Sequence, residues 1–507
     1  MTLGDLLAVL GDLVPAGTPL PSAAGGRQVK GLAYDSRRVV PGSLFVALKG
    51  QKTDGAAFAV QALSKGAVAV VAEAPRPEAV PDATWIHVRD GRHAMARLAA
   101  AFYGRPSDDL QLVGITGTNG KTTTAYLLSA LFEAAGIRCG MLGTVVYRVG
   151  REERPATRTT PEAVDVQHML REMVQAGCSA CAMEVSSHAL VLDRVADVRF
   201  RAGVFTNLTR DHLDFHGAME TYFKAKLRLF EELDRGGTAV VNVDDPRGPS
   251  ILPAVAGRTL TYAIDHEADV KPGPIEFSLD GLAFSARTPA GPIEVRTRLV
   301  GRPNAYNVLA TAATGVALGL PLEGISRGLG AVEGVPGRFE IVSGPRDDVN
   351  VVVDYAHTDD ALRNLLETAR PLARHRLITV FGCGGDRDRT KRPLMGAVAT
   401  RMSDLVIVTS DNPRTEDPAA IIAEIRRGIP PEDRNGRHRK VMEVVDRRTA
   451  IERAINLAEP GDVVLLAGKG HEKYQVIGDK VLPFDDAAVA RAALARRREA
   501  FESRGEQ

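Results

Sequence analysis

The stretch that decides the fold is Gly117-Thr118-Asn119-Gly120-Lys121-Thr122-Thr123, which follows the apolar run Leu110–Thr116. Apolar side chains then recur at helical spacing, so a predicted strand enters a glycine-rich turn and leaves it as a helix. Such a turn directs backbone N–H groups and the positive end of a helix dipole at one place, where a polyphosphate binds. The lysine reaches the β- and γ-phosphates, and the first threonine hydroxyl is available to Mg²⁺.

This turn does not meet the strict P-loop pattern, because Ile115 stands where that pattern has its first glycine. A glycine-rich strand-to-helix turn without a ligand is therefore the plain alternative. The preceding strand, the following helix and the pair Lys121-Thr122 together favour nucleotide binding. We predict ATP contacts from all seven residues, 117–123.

Outward from this turn, short apolar runs alternate with helical patterns along the whole chain. The runs that we predict as buried strands are Ser43–Leu48, Ala67–Ala72, Thr84–Val88, Ala180–Val185, Gly203–Asn207, Thr238–Asn242, Val349–Val353, Leu377–Phe381, Leu405–Thr409 and Val463–Ala467. Such alternation indicates an α/β fold with parallel sheets, whose ligands bind beyond the carboxyl ends of the strands. Breaks rich in glycine and proline near residues 103–107 and 334–337 divide the chain into three predicted domains, residues 1–103, 104–335 and 336–507.

Charge and composition exclude several classes of protein. The 507 residues carry 64 Lys+Arg against 63 Asp+Glu, and this balance argues against binding nucleic acid or an anionic membrane through bulk electrostatics. No apolar stretch of about 18 residues could span a bilayer, and no basic leader with an apolar segment opens the chain. We therefore expect a cytoplasmic, monomeric protein that acts on small molecules, with neither nucleic acid nor membrane as a partner.

The glycine-rich loop resembles that of the Mur ligase and folylpolyglutamate synthetase family, whose members join an amine to a carboxylate at the expense of ATP. The resemblance extends over essentially the whole chain. The other motifs that carry it are Thr159-Thr160-Pro161, residues 184–188 (EVSSH), 207–214 (NLTRDHLD), 222–226 (YFKAK), 337–340 (GRFE), 354–358 (DYAHT), 382–388 (GCGGDRD), 411–414 (DNPR) and 468–472 (GKGHE). The resemblance implies a central P-loop domain with a parallel sheet and a Rossmann-like C-terminal domain.

The family chemistry implies which residues are catalytic. In the family, ATP phosphorylates the substrate carboxylate and an amine attacks the acyl phosphate, so negative charge must be neutralised by Mg²⁺ and by Lys121. Glu184 is an oxygen ligand of the type that Mg²⁺ prefers, and His212 resembles the family's histidine ligand. By resemblance, Lys226 matches the lysine that reacts with CO₂ to form a carbamate. The implied metal ligands are thus Thr122, Glu184, His212 and Lys226.

The resemblance also implies substrate contacts. On the nucleotide side these are Asn304, Asn307, Arg338, Asp354 and His357. For a nucleotide-sugar acceptor, a UDP-linked muramoyl dipeptide, they are Ser36, Thr159, Thr160, Ser186 and Arg194. Two neighbouring positions depart from relatives of this family, with Leu192 in place of a glutamine and Arg158 in place of an asparagine.

The motif Asp411-Asn412-Pro413-Arg414 is similar to that of the diaminopimelate-adding members of the family. A planar guanidinium at Arg414 can bind a carboxylate through two hydrogen bonds, and diaminopimelate has a second amino-carboxylate end that lysine lacks. Arg387 can also bind a carboxylate, while Glu472 and the Gly468 carbonyl can accept hydrogen bonds from the distal ammonium. We predict a diaminopimelate site from these residues.

Three alternatives stay open. A lysine-adding ligase of the same family would have no use for Arg414. A folylpolyglutamate synthetase would usually have G-K-G-S after the loop asparagine instead of Gly120-Lys121-Thr122-Thr123. A nucleotide-binding protein without catalysis would have no need of Glu184, His212 and Lys226 together.

Overall fold

The structure of the protein is a computed structural model that describes residues 1–16, 25–50, 53–78, 80, 84–431 and 440–505. The first part of the chain builds a parallel sheet in the order β1-β2-β3-β4. Its strands are β1 Gly31–Ala33, β2 Ser43–Ala47, β3 Ala69–Ala72 and β4 Trp85–His87, and its helices are α1 Leu3–Ala8, α2 Ala59–Ser64 and α3 Gly91–Phe102. Asp90 caps α3 by accepting hydrogen bonds from the backbone of Arg92 and His93, as preferred at this position.

The central part of the chain contains an eight-stranded sheet in the order β12-β11-β10-β5-β9-β6-β7-β8. Its strands are β5 Gln111–Thr116, β6 Cys139–Leu142, β7 Val146–Val149, β8 Glu152–Pro155, β9 Ala180–Glu184, β10 Ala202–Phe205, β11 Thr238–Asn242 and β12 Arg258–Tyr262. The strands from β12 to β6 run parallel, and β7 and β8 continue the edge as an antiparallel meander. The central strands β5, β9 and β10 are almost completely buried.

Helices cover the central sheet, and a small antiparallel sheet packs beside it. The helices are α4 Lys121–Ala134, α5 Ala163–Gln175, α6 Ser187–Val191, α7 Leu213–His216, α8 Met219–Glu231, α9 Arg302–Ala317 and α10 Leu322–Gly330. The small sheet consists of β13 Lys271–Pro272, β14 Glu276–Ser278, β15 Gly281–Thr288 and β16 Gly291–Thr297. Gly136, with φ +77°, follows the end of α4, as the sequence predicts for a helix end.

The last part of the chain forms a six-stranded sheet in the order β17-β18-β22-β19-β20-β21, parallel except for β17, and a separate hairpin, β23-β24. The strands are β17 Glu340–Ile341, β18 Asn350–Asp354, β19 Leu377–Phe381, β20 Leu405–Val408, β21 Val441–Glu443, β22 Val463–Ala467, β23 Tyr474–Ile477 and β24 Lys480–Pro483. The helices are α11 Asp359–Ala369, α12 Lys391–Met402, α13 Pro418–Arg426, α14 Arg447–Leu457 and α15 Asp486–Gly505. Parallel strands that alternate with helices, with helices packed on both faces of the sheet, make this a doubly wound, Rossmann-like domain.

The predicted fold class is confirmed: the fold is α/β, with parallel sheets in three successive parts of the chain. The predicted strands all form, and β11, β19 and β22 have the predicted bounds. The first predicted linker lies after α3 and runs into a short 3₁₀ helix, Pro106–Asp108, and the second lies between α10 and β17. Among the described residues, no helix has both the length and the apolar composition needed to cross a bilayer.

Candidate active site

The phosphate loop, residues 117–120, joins the carboxyl end of β5 to Lys121, the first residue of α4. Gly117 has φ +149° and Gly120 has φ +88°, which L side chains rarely adopt. A Cβ atom at Gly117 would lie 1.8 Å from Thr206 Oγ1, and one at Gly120 would lie 2.3 Å from Asn307 Oδ1. Backbone conformation and close approach therefore both require glycine in this loop.

Two lysines lie beneath the loop. Lys121 Nζ donates hydrogen bonds to the carbonyl oxygens of Gly117 and Thr118, at 2.9 and 2.8 Å. Lys226, on α8, is 1% exposed, and its Nζ lies 4.6 Å from the centroid of the Tyr222 ring. Burial lowers the pKa of both amines, and for Lys226 the charge of Lys121 lowers it further. The environment thus favours the neutral, nucleophilic form of the Lys226 amine.

Glu184 ends β9 at the opposite side of the loop and is 1% exposed. Its Oε2 accepts hydrogen bonds from Thr122 Oγ1 and from Thr144 Oγ1, both at 3.0 Å. Its Oε1 accepts from the backbone N–H of Thr144 at 2.8 Å. A carboxylate held by three donors stays in one orientation, as a metal ligand must. Thr144 is not predicted from the sequence, because its position in the turn before β7 belongs to no motif.

The rings of His188 and Tyr222 lie close to that of His212, which is half-buried with φ +53°. The ring centroids of His188 and Tyr222 lie 4.9 and 6.2 Å from that of His212. Asp211 Oδ2 lies 3.4 Å from His212 Nε2. Burial lowers the pKa of His212 to about 4, so its imidazole is neutral near pH 7 and retains a lone pair for a metal.

The donor set can be tested for a magnesium ion. Among the described residues, no group of three or more His, Cys, Asp or Glu side chains lies close enough together to hold a metal. The oxygen of Thr122 and the carboxylate of Glu184 are donors of the kind that Mg²⁺ prefers, and the neutral imidazole of His212 has a lone pair that can bind a metal. A further anionic donor is required, and a carbamate on the buried amine of Lys226 would supply it. If Lys226 carries this carbamate, the donor set fits Mg²⁺.

A cavity of about 260 Å³ opens over the phosphate loop and contains the predicted nucleotide residues. Arg338, between α10 and β17, donates from Nη2 to Thr122 Oγ1 at 3.1 Å. Asn307 Nδ2 donates to Asn304 Oδ1 at 3.0 Å. The cavity is also lined by Asp354, the last residue of β18, and by His357 in the loop that follows. Of the predicted ATP residues, all but Gly117 line this cavity: Thr118, Asn119, Gly120, Lys121, Thr122, Thr123, Asn304, Asn307, Arg338, Asp354 and His357.

The residues predicted for the acceptor divide into two groups. Thr159 and Ser186 line the nucleotide cavity, and Thr160 Oγ1 donates to the Glu184 carbonyl oxygen at 2.7 Å. Arg194 is 9% exposed and donates from Nη1 to the Thr160 carbonyl oxygen at 3.1 Å. Ser36 lies apart, in the turn after β1, where it is buried and donates to Gln61 Oε1 at 2.7 Å.

A second cavity, of about 750 Å³, contains most of the residues predicted for diaminopimelate. Its lining includes Arg387, Asp411, Asn412, Arg414, Gly468 and Glu472, and Pro413 is buried next to it. Arg414 has φ +51°, and its Nη1 donates to the Gly385 carbonyl oxygen at 2.7 Å. Arg387, in the loop after β19, and Arg414, in the loop after β20, therefore both line this second cavity.

Lys469 connects two side chains that line this second cavity, a role that its sequence motif does not indicate. It is 0% exposed, and its Nζ donates to Asn412 Oδ1 and to Glu472 Oε2, each at 3.1 Å. Asn412 Nδ2 donates to the same Glu472 oxygen at 2.8 Å. Asn412 and Lys469 are 57 residues apart, so no local pattern indicates the contact. Glu472 also lines the cavity, where its carboxylate can accept a hydrogen bond from a ligand ammonium.

The two cavities share part of their walls. Asp211, His212, Tyr355 and His357 line both of them. A ligand in the second cavity therefore borders the space over the phosphate loop. This is the arrangement that a ligase needs if an amine is to attack a carboxylate activated by ATP.

Comparison with protein-family models assigns the chain to a class. The model described as Mur ligase family, catalytic domain, matches residues 28–103. The Mur ligase middle domain matches residues 115–315, and the Mur ligase, glutamate ligase domain, matches residues 337–470. The chain belongs to the Mur ligase family.

Particular relatives share one name. A protein from Solibacter usitatus (strain Ellin6076) is 49% identical over 502 residues, with 97% of this chain and 98% of that protein covered. A protein from Geobacter metallireducens (strain ATCC 53774 / DSM 7210 / GS-15) is 50% identical over 494 residues, with 94% and 96% covered. Both are UDP-N-acetylmuramoyl-L-alanyl-D-glutamate--2,6-diaminopimelate ligases.

Solved structures agree with this class. A structure of a UDP-N-acetylmuramoyl-L-alanyl-D-glutamate--2,6-diaminopimelate ligase superposes with a TM-score of 0.68 at 33% identity, covering 98% of this chain and 99% of that one. The MurF ligase from Thermotoga maritima, solved in complex with ADP, superposes with a TM-score of 0.61 at 18% identity, covering 94% and 99%. The latter shows that the fold is shared.

Proposed function

We propose that the protein is an ATP-dependent amide ligase that joins meso-2,6-diaminopimelate to UDP-N-acetylmuramoyl-L-alanyl-D-glutamate. The reaction releases ADP and phosphate and belongs to cytoplasmic synthesis of peptidoglycan precursors. The observation that carries this proposal is the shared wall between the nucleotide cavity and the cavity that contains Arg387, Arg414 and Glu472. Near-full-length relatives with this activity in their name support the choice of substrates.

The first half of the reaction needs positive charge over the phosphate loop. An acceptor carboxylate attacks the γ-phosphorus of ATP, the bond to the β-phosphate oxygen breaks, and an acyl phosphate forms. The loop N–H groups and the N-terminus of α4 bind the phosphates. Lys121 turns from the loop carbonyls to the phosphate oxygens, and Arg338 lies beside Thr122 at the same edge. These cations oppose the charge that develops in the transition state.

Mg²⁺ would be held by Thr122, Glu184, His212 and carbamylated Lys226, and it would supply Lewis-acid neutralisation of phosphate charge. The carbamate forms when the neutral Lys226 amine attacks the carbon of CO₂ and releases a proton. The buried position of that amine supports this assignment, because a charged ammonium there would repel the metal.

The second half delivers the amine. Arg414 and Arg387 bind the carboxylate of the distal end of diaminopimelate, and Glu472 with the Gly468 carbonyl accepts hydrogen bonds from its ammonium. The reacting amine then faces the shared wall, attacks the acyl carbon, and phosphate leaves. Because the acyl phosphate hydrolyses in water, the parts of the chain must close over it.

Phosphate release tests the proposal. Purified protein with ATP, Mg²⁺ and the UDP-muramoyl dipeptide should release phosphate only when an amino acid is added, and meso-diaminopimelate should be preferred over L-lysine. Phosphate release with L-lysine alone would favour the lysine-adding alternative. Absence of release with any amino acid would favour a nucleotide-binding protein without catalysis. That the protein is a monomer and that it is cytoplasmic stay predictions.

A further inference from the structure

A fully buried arginine on α12, Arg392, connects the two loops that carry Arg387 and Arg414. Its side chain is 0% exposed, and it is not among the residues that line the second cavity. Its Nη2 donates a hydrogen bond to the Gly384 carbonyl oxygen, in the loop after β19, at 3.1 Å. The same Nη2 donates to Glu416 Oε1, in the loop after β20, at 2.8 Å. One guanidinium therefore joins both loops.

Glu416 makes the same connection from the other loop. Its Oε1 also accepts a hydrogen bond from the backbone N–H of Asp386 at 2.6 Å, directly before Arg387. Its Oε2 accepts from Arg392 Nη1 at 2.9 Å. Hydrogen bonding from Arg392 lowers the pKa of Glu416 to about 2, so this carboxylate is ionised near pH 7. A charged pair that is paired on both carboxylate oxygens thus lies between the loops.

The backbone of the two loops depends on such contacts. Asp386 has φ +52° and Arg414 has φ +51°, a conformation that L residues other than glycine adopt only where the surrounding structure holds it. The loops also touch through their backbones, since the Gly385 N–H donates to the Asn412 carbonyl oxygen at 2.9 Å. A Cβ atom at Gly385 would lie 1.9 Å from the Pro413 carbonyl oxygen. The two loops therefore have one joint conformation, which the buried ion pair stabilises.

We propose that Arg392 and Glu416 are positioning residues that hold Arg387 and Arg414 in the arrangement in which both bind the distal carboxylate of diaminopimelate. This inference rests on the proposed function. Neither positioning residue lines the second cavity, so each acts through the loop that it holds. Guanidinium groups that are already fixed bind a carboxylate at a lower entropic cost than mobile ones do. The Arg392–Glu416 pair therefore contributes to the affinity for the amino acid without touching it.

Glu424, on α13, is a matched control for Glu416. Its Oε2 accepts from Arg392 Nη1 at 2.8 Å, and its side chain is 18% exposed against 19% for Glu416. Arg389 Nη2 lies 2.7 Å from Glu424 and 3.3 Å from Glu416, so both acids pair with both arginines. Among the described residues, Glu416 accepts a backbone hydrogen bond from a cavity loop and Glu424 does not. The two acids thus differ in their contact with the loop.

Phosphate-release kinetics on the full-length protein separate positioning from general stabilisation. Glu416→Gln should raise KM for meso-diaminopimelate roughly tenfold and leave kcat nearly unchanged, because the amino acid is bound less well in the ground state and in the transition state alike. KM for ATP and for the UDP-muramoyl dipeptide should not change. Glu424→Gln should keep the wild-type KM for meso-diaminopimelate. Urea denaturation should find both variants folded and less stable than wild type, since each loses an ion pair with Arg392.

Two further variants test whether the effect passes through the loops. Arg392→Lys keeps the buried charge but loses the planar fork that donates to both loops, so it should also raise KM for meso-diaminopimelate. In the combined variant Glu416→Gln/Arg414→Ala, the loss in kcat/KM should be smaller than the product of the two single losses. The reason is that Glu416 can no longer act through Arg414 once that guanidinium is gone.

Three results would overturn the inference. An equal rise in KM for meso-diaminopimelate in Glu416→Gln and Glu424→Gln would assign the ion pairs of Arg392 a general structural role. An unchanged KM in both Glu416→Gln and Arg392→Lys would separate the pair from amino-acid binding. Losses that multiply in the combined variant would show that Glu416 does not act through Arg414. Wild-type protein that releases no phosphate with meso-diaminopimelate would instead contradict the proposed function itself, so the two failures are distinguishable.

Discussion

Lys121 and Lys226 donate hydrogen bonds to the same carbonyl oxygen, that of Gly117, at 2.9 and 2.7 Å. Two buried ammonium groups this close repel each other, and the pKa of each is lowered by burial. The repulsion between these two ammonium groups can be removed in two ways. Lys121 can turn to a phosphate, and Lys226 can lose its charge and react with CO₂.

Lys226→Ala should reduce turnover by at least roughly 10²- to 10³-fold, because the site loses an anionic metal donor. Lys226→Arg should be equally inactive, since a guanidinium does not form a carbamate near neutral pH. Added short carboxylic acids should partly restore kcat to the alanine variant. The control is Lys224→Ala, an exposed lysine two residues earlier. Phosphate-release kinetics give the result, and wild-type turnover in Lys226→Ala would refute the assignment.

Gly120→Ala should weaken ATP binding by about tenfold or more, a loss of roughly 1.4 kcal/mol. Its φ of +88° strains an L residue, and the new Cβ would lie 2.3 Å from Asn307 Oδ1. Gly136→Ala is the control, because Gly136 has φ +77° but nothing within 4 Å of the added carbon. Nucleotide titration should find normal affinity in Gly136→Ala. Equal affinities in the two variants would show that the loop tolerates the side chain.

Arg414→Ala should lower kcat/KM for meso-diaminopimelate by roughly 10- to 100-fold, because a charge-assisted contact to the distal carboxylate is lost. Activity with L-lysine, which lacks that carboxylate, should change little. Arg389→Ala serves as the control, since Arg389 is largely exposed and pairs with Glu424. If Arg414→Ala distinguishes the two amino acids as well as wild type does, Arg414 does not determine the choice.

The buried pair Arg447 and Asp486 should carry a large part of the stability of the last sheet. Both side chains are 0% exposed, with Arg447 Nη2 at 2.6 Å from Asp486 Oδ2 and at 3.0 Å from the Ala467 carbonyl oxygen. Arg447→Met should lower the free energy of unfolding by about 3–5 kcal/mol, because it leaves a buried carboxylate unpaired. Urea denaturation of this variant and of Arg447→Met/Asp486→Leu completes the test. The double variant should be more stable than the single one, and the opposite order would contradict this reading.

The sequence predicted the elements whose signal is local. The strands β11, β19 and β22 are buried runs of mostly apolar residues, and the phosphate loop is a continuous motif. The hairpin β23-β24 escaped prediction because its residues are mostly exposed and form no apolar run. The β13–β16 sheet was also not predicted, although β15 and β16 alternate exposed and buried positions, the period of two that indicates half-buried strands.

Site residues that belong to a sequence motif could be predicted. Site contacts that only the folded chain forms could not. Glu184 and His212 belong to motifs at the ends of strands. The contact of Lys469 with Asn412 joins residues 57 apart, and that of Arg392 with Glu416 joins residues 24 apart. Contacts between residues this far apart have no characteristic spacing in the sequence, because the folding of the sheets brings the two residues together.

The preference of the protein for one amino acid can be measured by a comparison of two substrates. Wild-type protein is supplied with ATP, Mg²⁺ and the UDP-muramoyl dipeptide, and kcat/KM is measured for meso-diaminopimelate and for L-lysine, with the product mass determined in each case. We expect a strong preference for meso-diaminopimelate. The product should be heavier than the acceptor by the mass of one diaminopimelate minus one water. Equal use of the two amino acids, or a preference for L-lysine, would contradict this expectation.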